Sequence, residues 1–125
     1  MMAVSTNHAQ GSLRRDQQDL LRILGYSYQR NGQPARAAVL WSALHALSPR
    51  DSFVTRSLAL ALLRSARPDA ALTLLDGLLD EGDACALTHL LRSQALVTIG
   101  RLPEASRSMR FYVAARAAEQ SSREN

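Results

Sequence analysis

The chain has no lysine, one cysteine, one tryptophan and few other aromatics, and only six glycines and four prolines in 125 residues. Each scarcity excludes something. A lone Cys85 cannot form an intrachain disulfide or a thiol-rich metal site, which suits a reducing cytosol. The fifteen cations are all Arg, and Arg22, Arg36, Arg56, Arg67, Arg92 and Arg107 are scattered among eleven acids rather than gathered into a run. A formal charge of +4 without a basic stripe or stacking aromatics argues against a nucleic-acid partner. The missing lysine reads as genomic base composition. The longest apolar run, Leu58 to Leu63, is far too short to span a bilayer. Met1 to Ser12 lacks the charged-then-apolar layout of a signal peptide. A cytoplasmic protein without membrane insertion is expected.

What is abundant is Leu and Ala, 41 residues together, both strong helix formers. Small residues recur at an interval of 34: Gly32, Ala66 and Gly100, then Ala37, Ala71 and Ala105. Tyr28, Leu62 and Leu96 keep the same interval, as do Trp41, Leu75 and Met109, and Leu44, Leu78 and Tyr112. This is the length and small-residue pattern of a tetratricopeptide repeat, a helical hairpin that buries its apolar face by stacking on copies of itself. The expected fold is all-α: three tandem repeats forming a short right-handed superhelix.

Six helices are expected. The first runs from a cap at Ser12 to Arg30, the second from Pro34 to Leu47, and the third from Asp51 or Ser52 to Arg64. The fourth begins at Pro68 and ends before Gly82; the fifth is capped by Asp83 and ends at Ile99; the sixth starts near Pro103 and fades after Ala118. Residues 1–11 are expected as a flexible tail, 12–119 as one three-repeat domain, and 120–125 as a frayed end.

Chemistry-bearing residues are few. His45 lies one turn from Trp41, and Cys85 and His89 share a helical face, but neither histidine has the further partners a nucleophile or metal site needs. The acids Asp76, Asp80, Glu81 and Asp83 lack the loop spacing of a calcium site. No Gly-rich phosphate loop or Ser-His-Asp arrangement is present. Neither an enzyme nor a cofactor or metal protein is expected.

The informative surface is the inner face of each first helix. The repeat alignment puts Asp19, Arg22, Tyr26 and Gln29, then Phe53, Arg56, Leu60 and Leu63, then Leu87, Leu90, Gln94 and Val97 in a concave groove. Half of these are aliphatic or Phe, and a contiguous apolar patch of that kind marks a binding site. The leucines are expected to take apolar anchors of an amphipathic partner segment, with Arg22 and Arg56 reading carboxylates. A second surface is the end of the stack. Repeat arrays normally finish in a polar solvating helix, yet Met109, Phe111, Tyr112 and Val113 span too much of the sixth helix for the fifth to cover. A partner helix, or a homodimer contact, is expected there.

The first repeat carries the fullest signature: Leu21, Leu24-Gly25, Tyr28, Ala37, Trp41 and Pro49. The second keeps Leu58-Ala59, Leu62, Ala71 and Leu75; the third has Arg92-Ser93 where Leu-Gly is usual. The Lys and Asn groove pairs with which co-chaperone repeats hold acidic tails have no counterpart, since Arg22 goes with Tyr26 and Arg56 with Leu60. From Asp19 to Arg116, through "LLRILGYSYQRNGQPARAAVLW" and "LLRSQALVTIGRLPEA", the chain resembles the small chaperones of bacterial type III secretion systems and is most similar to the YscY family. The resemblance implies a cytosolic chaperone without cofactor or reaction that binds one small secreted protein of the YscX type and brings it to the export gate protein. A needle-subunit or translocator chaperone of the same system and a homodimeric repeat scaffold are the alternatives.

Overall fold

The computed structural model describes the backbone of residues 2–124 and the side chains of residues 14–124. Among the described residues there are six helices and no strand: α1 Met2–Arg30, α2 Pro34–Leu47, α3 Ser52–Arg64, α4 Pro68–Asp80, α5 Ala86–Ile99 and α6 Leu102–Glu124. Helical backbone therefore covers residues 2–11, where a tail was expected, and runs through Ser12 instead of starting there. His8 and the other side chains up to residue 13 lie outside the described residues.

The helices pack in chain order, each against the next, with a lighter contact between α3 and α5. Three tight turns make three hairpins, α1 with α2, α3 with α4, and α5 with α6. The turns share one backbone geometry at the 34-residue interval. The amides of Gln33, Arg67 and Arg101 donate to the carbonyls of Tyr28, Leu62 and Leu96 at 2.8, 2.8 and 2.9 Å. The residue before each donor has positive φ: Gly32 (72°), Ala66 (62°) and Gly100 (92°). This six-to-one bond satisfies a terminal carbonyl and reverses the chain. Pro34 and Pro68 then occupy the first turn of the following helix, where a missing N–H costs nothing.

Packing follows the same period. Ala37, Ala71 and Ala105 are all buried at the hairpin crossings, as are Gly25, Ala59 and Ser93 on the facing helices. A small side chain in both columns lets the paired axes approach closely. One cluster gathers Trp41, Leu44, Val54, Leu58, Leu62, Leu75, Leu78 and Leu91 from α2 to α5. A smaller one joins Leu72, Ala95, Leu96 and Ala105. Arg92 stands where the other hairpins have leucine; its guanidinium donates to Asp76 at 2.7 Å and to the buried Ser108 at 2.6 Å, tying α5 to α4 and α6.

Two expected ends differ. α5 starts at Ala86, and Asp83 lies ahead of it, accepting from the Cys85 amide at 3.3 Å. The α5 start is also held from α6: Glu119 accepts from the Ala86 amide at 2.9 Å. An acid at a helix N-terminus satisfies an orphan donor and opposes the positive end of the dipole. α6 runs on past Ala118 to Glu124.

Candidate partner-binding surface

The first helices of the three hairpins lie side by side and enclose a groove of about 350 Å³. Tyr26 and Gln29 line it from α1, Phe53, Arg56 and Leu60 from α3, and Leu87 and Leu91 from α5, with Arg30, Ser57 and Arg64 also lining it. Six of the twelve groove positions expected from the sequence, Tyr26, Gln29, Phe53, Arg56, Leu60 and Leu87, thus meet in one concavity. Leu91, Arg30, Ser57 and Arg64 had not been singled out. The repeat interval was the available signal, because Arg30 and Arg64, and Ser57 and Leu91, are each 34 apart.

An aromatic trio stiffens one end. Tyr26 and Phe53 stack with centroids 6.3 Å apart, and Trp41 meets both edge-on at 6.1 and 6.0 Å. Trp41 Nε1 donates to Gln29 Oε1 at 3.1 Å, which removes a buried donor from the cost of packing the indole. Tyr26 and Phe53 remain more than one-third exposed, so a partner meets a preformed apolar surface.

Arg22 and Arg56 are engaged within the chain. Arg22 donates to Asp51 at 2.6 Å, and Arg56 forms the corresponding ion pair with Asp83. Each bond runs from the first helix of one hairpin to the turn that begins the next, so both guanidiniums already hold internal carboxylates. Burial pushes the Asp51 carboxyl up, but the Arg22 hydrogen bond, the Val54 amide and the Arg22 charge together hold it below the usual value. Burial also raises Asp83, and there Cys85 hydrogen bonding and the Arg56 charge outweigh it. As part-exposed pairs, they contribute about 1 kcal/mol or less each.

Leu63 is half-buried, packs against both core clusters and does not line the groove. Leu90 is half-buried, and Gln94 and Val97 are exposed; none of these three lines the groove. On α6, Met109, Phe111 and Val113 are exposed, while Tyr112 is half-buried. Phe111 stacks on His89 of α5 with centroids 5.3 Å apart.

The remaining chemical groups are engaged locally. His45 Nδ1 lies 3.3 Å from Thr55 Oγ1, and Cys85 Sγ lies 3.3 Å from Thr88 Oγ1. His89 Nδ1 is buried without a hydrogen-bond partner. Burial, followed by the charge of Arg92, lowers the His89 pKa against an opposing pull from Asp83. Among the described residues no group of three or more His, Cys, Asp or Glu could hold a metal ion, and no helix is long and apolar enough to cross a membrane. No protein-family model matches the chain, and no match was found among curated proteins.

Proposed function

We propose that this chain is a three-repeat tetratricopeptide array, wound as a short right-handed superhelix, that binds an amphipathic helical segment of another protein. The observation that carries the reading is the groove shared by Tyr26, Phe53, Leu60 and Leu87, a row of apolar side chains contributed by three successive hairpins. Such a row matches the anchors that an amphipathic helix presents along one face. Arg30 and Arg64 flank the row and favour a partner with acidic residues beside its anchors. The role is stoichiometric binding, and no residue is assigned a chemical step.

The resemblance to type III secretion chaperones supplies the biological setting of the proposal. In that setting the chain acts in the cytoplasm, holds a small secreted protein of the YscX type and delivers it to the export gate protein. Covering the client's apolar face would keep it from aggregating before export. Co-expression with a tagged YscX-type client tests both levels. Wild-type chain is expected to co-purify with the client, and Leu87→Asp and Tyr26→Asp, at exposed groove positions, are expected to lose it while keeping their helical circular dichroism. Undiminished recovery with both folded variants would remove the groove assignment. Failure of the wild-type chain to bind that client would remove the secretion setting.

A further inference from the structure

The two junctions between hairpins are built alike. α3 sits on α2, and α5 on α4. Trp41 and Leu75, 34 residues apart on the second helices, are 1% and 0% exposed beneath them. The next member of that column is Met109 on α6, which is 41% exposed; Val113, in the column of His45 and Leu79, is 60% exposed. The other half of the junction is uncovered at the opposite end. Val54 and Leu58 on α3 are buried in the same cluster as Trp41, yet their counterparts on α1, Leu20 and Leu24, are 56% and 37% exposed. The described residues therefore present an α6 face of the kind that receives a first helix and an α1 face of the kind that is received.

We infer that these ends bind each other between two copies of this chain, α6 of one receiving α1 of the next, head to tail. The contact repeats a junction the chain already makes twice internally. The match between the two end faces favours it over a symmetric pairing. In a head-to-tail stack, Leu20 and Leu24 take the positions of Val54 and Leu58 and come against the exposed Met109 and Val113 face of α6. Two α6 faces meeting each other would instead leave Leu20 and Leu24 on α1 uncovered. The junction lacks one internal support: Leu90 stands in the column of Arg22 and Arg56, so no arginine there can repeat the ion pair. Because such a heterologous contact leaves one face of each kind free, association extends beyond a dimer.

Sedimentation equilibrium of the purified full chain across a concentration series tests this. The weight-average mass is expected to rise continuously from 13.7 kDa past twice that value. Val113→Glu on α6 and Leu20→Glu on α1, both at exposed positions, are each expected to hold the protein at the monomer mass. An equimolar mixture of the two variants retains one intact α6 face and one intact α1 face, and is expected to form a dimer that stops there. A mass fixed at the monomer value for the wild-type chain would overturn the inference. So would a dimer indifferent to Leu20→Glu, which would mean a symmetric α6 contact.

Discussion

A Cβ added to Gly25 would lie 2.9 Å from Cε2 of Trp41. The indole is 1% exposed, meets Phe53 across the first junction and is tied to Gln29 by its N–H. Gly25→Ala therefore displaces a ring that α1, α2 and α3 all depend on. The expected loss is about 1 to 3 kcal/mol, the range for overpacking a filled core. Chemical denaturation followed by circular dichroism checks it, and an unchanged midpoint would mean the helices separate freely at this crossing.

Ala66 is the one non-glycine residue with positive φ among those described. Its neighbours in the repeat column, Gly32 and Gly100, adopt that conformation without a Cβ penalty. For an alanine the left-handed region costs about 1 to 2 kcal/mol, partly offset in a glycine variant by greater freedom of the unfolded chain. Ala66→Gly is expected to stabilise the protein by about 0.5 to 1 kcal/mol. A thermal melt that moves downward would contradict this.

Stability is expected to fall on acidification in two stages. The His89 pKa is lowered by burial and then by Arg92, below the 6.5 ordinary for a histidine. Its neutral form is thus favoured in the folded state. Above that value neither state binds the proton; as pH falls below it the unfolded chain takes up the proton first, and stability declines until the folded pKa is passed. Asp51 and Asp83, both lowered by net pairing that outweighs burial, stabilise the fold above the ordinary carboxylate range and lose that contribution as pH falls through it. His89→Leu should abolish the first stage and leave the second. Denaturation midpoints measured from pH 8 to pH 3 would reveal whether the first stage persists in the variant.

How much of this was legible in the sequence varies with the range of the interaction. The limits of α2, α3 and α4 were readable because prolines, small residues and an Asp cap act within a turn of their own position. The start of α5 was misplaced at Asp83. That carboxylate does bind nearby backbone, and the support from Glu119 of α6, 33 residues away from the Ala86 it caps, leaves no local mark. The groove was legible by column, since Tyr26, Phe53, Leu60 and Leu87 keep the periodicity of one helix face. Leu63 shares that patterning and still turns into the core, because a periodicity fixes which residues share a face but not the angle at which that face meets its neighbour.

By itself the sequence determined that the chain makes helices, where most of them break, and which positions must be small. These follow from propensity, capping and the 34-residue recurrence, all of which act over a few residues at a time. Only the tertiary structure decided that Arg22 and Arg56 hold Asp51 and Asp83, and that Leu20, Met109 and Val113 stay exposed. Both outcomes depend on how whole helices are rotated and stacked, and that rotation is set by the summed packing of every column at once.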